Sequence, residues 1–107
     1  MAELSIARDK VAEVIVLARE MNRAEKEFDA FVSGLNDEEQ ASLVAIFWIG
    51  RGNFDAEDYA EALETAYNEK TTPTHDYLKG SPHLADHLEA GMEALGIDVT
   101  QDEEDLY

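Results

Sequence analysis

Two histidines and an aspartate near the end of the chain have the spacing of a metal-binding helix. His83 and His87 are four residues apart, so in a helix both imidazoles would lie on one face and could bind one metal ion, with His75 as a third ligand. Asp86 could then act as a general base toward a metal-bound water. The same residues are also typical of surface or capping histidines, which is the interpretation that the sequence favours.

Three further residues are candidates for a binding site. Arg51 lies between Gly50 and Gly52; it could bind an anion, but the spacing differs from that of a phosphate-binding loop, which favours a role in capping the helix or pairing with a buried acid. Trp48 is more typical of core or interface packing than of a ligand platform. Tyr77 could extend a pocket next to the turn at Gly80.

Other catalytic patterns are absent from the sequence. It contains no strand-turn-helix nucleophile motif, no P-loop and no Glu-x-x-His motif of a di-iron bundle, and the acids at 102–105 lack the alternation and the glycine of a calcium loop. We therefore predict no cofactor and favour a function other than catalysis, with the metal-dependent hydrolase as the enzymatic alternative.

The sequence predicts the helix that carries Trp48 and Arg51 more clearly than any other element. Asn36, followed by acidic residues and by Glu39 three positions later, predicts a capping box at its start, and Gly50 or Gly52 can end it in the left-handed conformation. Residues 43–49 are apolar without interruption. Such a helix is apolar around its whole circumference, so it must be buried by the rest of the chain or covered by a second copy.

The rest of the chain also has helical periodicity. A long first helix is predicted from about residue 4 to Ser33, with a possible bend near Asn22, and a third helix begins near Asp55. Thr72 and Pro73 indicate a short helix that Gly80 ends, and Ser81 and Pro82 indicate a last helix that continues to about Leu95. Gly91, inside that last helix, suggests a close crossing with another helix.

The predicted fold is therefore an all-α, compact bundle of four main helices plus one short helix. A chain of 107 residues is long enough for one domain and one core. We predict that the domain covers residues 1–97 and that residues 98–107, which include five acids, form a mobile acidic tail.

The charge is strongly and unevenly negative. The formal net charge is −17; residues 1–35 contain seven acids and five bases, whereas residues 36–107 contain eighteen acids and three bases. Such a field repels phosphates and anionic lipids, so we expect no direct nucleic-acid binding and no membrane binding, while basic partners stay possible. Without cysteine, an apolar leader or a long apolar run, the chain is predicted to be a cytoplasmic protein.

Several motifs resemble those of a known family. They are Ala18–Glu20, the Leu-Asn-Asp-Glu-Glu-Gln segment at 35–40, the Trp-Ile-Gly-Arg-Gly segment at 48–52, and a Tyr-Leu-x-Gly-x-Pro-x-Leu-Ala-Asp-x-Leu-Glu pattern at 77–89. Together they resemble a small bacterial family known only as a domain of unknown function. The resemblance implies a bacterial cytoplasmic helical domain, but it does not imply any activity, cofactor or catalytic residue. Relatives tend to have leucine and tyrosine where His83 and His87 stand, which weakens the metal hypothesis.

Three hypotheses about function follow. The first is a small protein–protein interaction or regulatory module that forms a homodimer or binds a protein partner. The second is an inhibitor that imitates nucleic acid, since acidic helices could occupy the basic groove of a DNA-binding protein. The third is the metal-dependent hydrolase based on His75, His83, Asp86 and His87.

Overall fold

Six α-helices form the structure, a computed structural model that describes residues 4–99. In chain order they are α1 (Arg8–Arg19), α2 (Met21–Ser33), α3 (Asp37–Arg51), α4 (Tyr59–Asn68), α5 (Thr74–Lys79) and α6 (Leu84–Ala94), with a 3₁₀ turn at Ala56–Asp58 before α4. The described part of the chain contains no β-strand, so the predicted all-α class is confirmed. None of its helices is long and apolar enough to cross a membrane.

Helix α3 lies at the centre of the molecule, and its ends are those predicted. The Asn36 side chain accepts a hydrogen bond from the Glu39 backbone N–H at 2.7 Å, and the Glu39 carboxylate accepts one from the Asn36 N–H at 3.0 Å, which completes the capping box. At the other end Gly52 adopts φ 92°, a conformation that costs glycine little because it has no Cβ. Gly50 instead lies inside the helix.

The apolar segment of α3 is covered by the chain itself. Residues 43–49 are all buried except Trp48, which is half-buried, because α6 packs on one side of α3 and α4 on another. A second copy is therefore not needed to shield this segment from water.

Two glycines allow α3 and α6 to cross with their backbones almost in contact. A Cβ at Gly91 would lie 2.1 Å from the Ile46 carbonyl oxygen, and a Cβ at Gly50 would lie 1.7 Å from the His87 carbonyl oxygen. No side chain larger than hydrogen fits at either position unless the helices separate. The close crossing predicted from Gly91 is confirmed, and Gly50 is its counterpart on α3.

The long first helix is divided in two, because the chain breaks at Glu20 (φ −104°, ψ 25°) between α1 and α2, close to the bend that the sequence indicated near Asn22. Residues 8–33 as one straight helix would be about 39 Å long, whereas the longest dimension of the molecule is 34 Å. The break lets the buried residues of α1 and α2 reach the same core. Residues 4–99 consequently contain five long helices and one short one, and the break lies two residues before Asn22, near which the bend was predicted.

The starts of the last two helices and the beginning of the predicted tail differ in part from the prediction. Helix α6 starts at Leu84, and neither Ser81 nor Pro82 belongs to it; α5 starts at Thr74 after Pro73. Val99 is buried against the core, although it belongs to the predicted tail. The rest of that tail, residues 100–107, lies outside the described residues.

Three basic side chains connect helices that are distant in sequence. Lys10 of α1 pairs with Glu39 of α3 at 2.7 Å, and Arg19 of α1 pairs with Glu89 of α6 at 2.7 Å. In the third connection Lys79 of α5 reaches two carboxylates of α2, those of Glu25 and Asp29, each at 2.9 Å. Hydrogen bonds to Asp29 and then Glu25 hold the pKa of Lys79 above its usual range.

Candidate functional site

A groove of about 420 Å³ runs along the solvent side of α3. Its α3 wall consists of Asp37, Ala41, Val44 and Trp48, which recur at helical spacing and so form one stripe. The opposite wall comes from the end of α4, the following loop and α5, and contains Ala66, Tyr67, Glu69, Lys70, Thr71, Thr72, Thr74 and Tyr77. We call it the α3 groove. Its volume lies within the range of small-ligand sites in proteins, roughly 300–1,000 Å³.

One end of the α3 groove is aromatic. The Trp48 indole N–H donates to the Tyr77 hydroxyl at 2.9 Å, and the indole stacks on Phe54 with ring centroids 5.7 Å apart. Tyr77 in turn meets the buried ring of Phe47 edge to face at 6.3 Å. These contacts hold Trp48 and Tyr77 in place before any ligand arrives, which reduces the entropy cost of binding.

The other end of the groove is polar. Lys70 donates to the Gln40 side-chain oxygen at 2.8 Å, and the Gln40 amide donates to the Leu35 carbonyl oxygen at 2.9 Å, so the loop after α4 is held to the start of α3. Asp37 and Glu69 line this end. Neither carboxylate forms an ion pair with a side chain that the structure describes.

The structure thus brings two of the three predicted binding residues together. Trp48 and Tyr77 share one groove, whereas Arg51 does not line it. The Arg51 guanidinium lies over the Phe47 ring, 4.7 Å from its centroid, and its Nε donates to the Asn53 side chain at 2.8 Å. It therefore packs against the end of α3, a cation–π contact that stabilises the helix terminus.

The metal candidates lie in separate environments. His83 is the N-cap residue of α6, in the left-handed conformation with φ 60°, so only His87 of the two histidines lies within the helix. His87 packs its ring edge on Phe47 at 5.7 Å. His75 lies beside Asp76, and His83 beside Asp86. Within residues 4–99 no three His, Asp or Glu side chains are grouped as metal ligands would be.

Sequence reasoning did not identify the second wall of the groove. The helical spacing of the apolar residues predicts Tyr67 on the inward stripe of α4 with Tyr59 and Ala66, but 54% of the Tyr67 surface is exposed and the residue lines the groove instead. The signal that was available is a large aromatic residue in the last turn of its helix, followed by a short loop with threonines at positions 71, 72 and 74.

The described geometry defines a helical domain with a groove along α3, and residues 4–99 contain no group of side chains arranged as metal ligands. Residues 25–97 match a family described as "Protein of unknown function (DUF3775)", and the chain belongs to that family. The match includes the Trp-Ile-Gly-Arg-Gly motif and the Tyr77–Glu89 motif but starts after Ala18–Glu20. No curated protein and no solved structure matches the chain.

Proposed function

We propose that this protein is a protein–protein interaction module that receives a short segment of a partner protein in the α3 groove. The observation that carries the proposal is the Trp48–Tyr77 pair. Both side chains are fixed by hydrogen bonding and ring contacts, and both line an apolar-floored groove. Rigid, partly exposed aromatic residues around an apolar floor are the usual anchors of binding interfaces.

The floor of the groove supports a protein segment as the occupant. Ala41 and Val44 are small and almost fully buried, so they leave a channel along three turns of α3 rather than a closed cavity. Helical or extended peptides bind in such channels by inserting side chains at regular spacing.

Selection from a displayed library of random linear peptides tests this proposal. The wild-type protein should enrich a family of sequences that share an aromatic or aliphatic anchor, and Tyr77→Ala should abolish capture of those sequences. His83→Ala is the matched control, because His83 is exposed and lies outside the groove. If no sequence family is enriched, or if Tyr77→Ala and His83→Ala capture it equally, the proposal is wrong.

The homodimer expected from the sequence stays a prediction. Its premise was an apolar helix that needs cover, and the chain's own helices provide that cover. In addition, each copy has a net charge of −17, so two copies repel one another at low salt. Sedimentation equilibrium across a series of salt concentrations measures whether a dimer forms.

A second candidate function is imitation of nucleic acid, which one observation favours. Glu57, Glu61 and Glu64 are exposed along the α4 region at helical spacing. Their axial separation is about 5 Å per charge, against about 3.4 Å per phosphate along one DNA strand. Because the charge density along α4 is lower than that along a DNA strand, we favour the interaction module over imitation of nucleic acid.

Competition with DNA separates the two candidates. A mimic should bind an immobilised basic DNA-binding domain, duplex DNA should displace it, and the triple change of Glu57, Glu61 and Glu64 to Gln should weaken the binding while Tyr77→Ala leaves it intact. The reverse pattern excludes imitation of nucleic acid and supports the groove.

A further inference from the structure

We infer that the occupant of the α3 groove is a basic amphipathic segment, with an aromatic or aliphatic side chain at the Trp48–Tyr77 end and lysine or arginine at the Asp37–Glu69 end. This inference rests on the proposed function and adds the polarity of the ligand and its direction in the groove.

The two ends of the groove are fixed by hydrogen bonds at opposite ends of α3. Trp48 in the last turn bonds to Tyr77, and Gln40 in the first turn bonds to Lys70, the neighbour of Glu69. Asp37 and Trp48 are eleven residues apart, which corresponds to about 16 Å along a helix axis. A ligand must therefore present unlike groups about three helical turns apart, or about five residues apart if it is extended.

The polar end favours a positive group. It contains two carboxylates, Asp37 and Glu69, and one ammonium, that of Lys70, whose Nζ already donates to Gln40. The surrounding field has the same sign, since residues 36–70 contain nine acids and two bases. An acidic segment would be repelled over a distance of about 10 Å at ordinary ionic strength, whereas a basic one would be attracted.

Three synthetic peptides measured by fluorescence anisotropy test the inference. They share one helix-forming frame with Trp and Leu at one end, and they carry two Lys, two Gln or two Glu residues about three turns away; each is made in both chain directions. The Lys peptide should bind most tightly in one direction, and its affinity should fall as salt is added. The Glu peptide should bind least.

Charge reversal at the polar end provides the matched comparison. Glu69→Lys should weaken binding of the Lys peptide by roughly five- to tenfold and strengthen binding of the Glu peptide, as expected for a rim ion pair that is lost and reversed. Glu64→Lys makes the same change of net charge on α4 outside the groove lining, so its effect should be clearly smaller. Thermal melting of both variants confirms that they fold.

The possible results separate the inference from the function on which it rests. Equal binding of the Lys, Gln and Glu peptides, equal effects of Glu69→Lys and Glu64→Lys, or no binding of any peptide overturns the basic-segment inference. The proposed interaction module is overturned separately, by failure of the library selection. A dimer that Tyr77→Ala dissociates would assign the groove to a second copy and also overturn the inference.

Discussion

Glu39 accepts hydrogen bonds from two parts of the chain, and only one of them is local. Its bond from the Asn36 backbone follows from the sequence, whereas its pairing with Lys10 joins α3 to α1 across 29 positions. The bond from Lys10, and then that from Asn36, lower the pKa of Glu39 below its usual value of 4.5. A carboxyl with a lowered pKa in the folded state stabilises the fold above its unfolded pKa and loses that contribution as pH falls through the folded value.

Glu39→Gln should isolate this charge, because glutamine still completes a capping box. Near neutral pH the variant should lose about 0.5 kcal/mol of unfolding free energy, and the difference from wild type should shrink as pH falls below about 4.5. Urea denaturation followed by circular dichroism from about pH 7 to about pH 3 measures it. Glu61→Gln, at an exposed position of α4, is the control; a pH-independent deficit for Glu39→Gln would contradict the assignment.

The groove residues illustrate what a residue-level analysis could and could not predict. Trp48 and Tyr77 were identifiable as large aromatic side chains beside glycine turns, but their mutual hydrogen bond joins positions 29 residues apart. Arg51 was identifiable as a residue of the helix end, yet its contact with Phe47 depends on the rotamer that packing selects. Residue types therefore indicate which chemistry is possible, and the fold determines which residues meet.

At the scale of elements, the α3–α6 crossing depends on two glycines whose intrinsic effect on a helix is unfavourable. Gly91→Ala should improve helix propensity by up to about 1 kcal/mol, but the new Cβ would meet the Ile46 carbonyl oxygen. Since the nearest atom, at 2.1 Å, belongs to the backbone, relief requires that the helices move apart, at a cost of about 1–3 kcal/mol. The net effect should be destabilising.

Gly80→Ala is the matched substitution for this prediction. Gly80 has φ −74°, and a Cβ there would have only ordinary contacts, the nearest at 3.5 Å. Chemical denaturation should therefore show a clear loss of stability for Gly91→Ala and a change within about 0.5 kcal/mol for Gly80→Ala. Equal stability of the two variants would mean that the crossing tolerates separation.

The break at Glu20 shows the limit of element prediction, which indicated a bend near Asn22 but did not decide whether the helix continues past it. The apolar periodicity from residue 4 to Ser33 continues through the break, and residues 18–22 contain neither proline nor glycine. Periodicity indicates which face of a helix is apolar, but not whether a molecule whose longest dimension is 34 Å can accommodate the helix in one piece. The constraint is the size of the molecule, which no local window contains.

At the scale of the whole molecule, charge repulsion opposes compactness. Twenty-five acids against eight bases give −17, and the ion pairs of Lys10, Arg19 and Lys79 offset only part of that repulsion. Salt screens repulsion and attraction alike, but the repulsive pairs are far more numerous. The melting temperature should therefore rise on going from about 20 mM to about 1 M NaCl.

A variant with fewer acids tests the cause of that rise. Replacing Glu57, Glu61 and Glu64 by Gln removes three exposed charges without touching the described ion pairs, so it should melt at a higher temperature at low salt and gain less from added NaCl. Differential scanning fluorimetry of both proteins across the salt series measures this. A melting temperature that falls with salt would show that the ion pairs outweigh the repulsion.

The sequence by itself determined the all-α class, the capping box and a glycine C-cap of α3, the shielding of most of residues 43–49 from water and the close approach at Gly91. Each of these follows from local chemistry: side chains that satisfy helix ends, an apolar circumference that must leave water, and a glycine where alanine would form a better helix. Only the tertiary structure decided the break at Glu20, the left-handed conformation of His83 and the partnership of Trp48 with Tyr77. These depend on the size of the molecule and on contacts between positions far apart in sequence. Such contacts form, and stabilise the fold, only once the helices have packed.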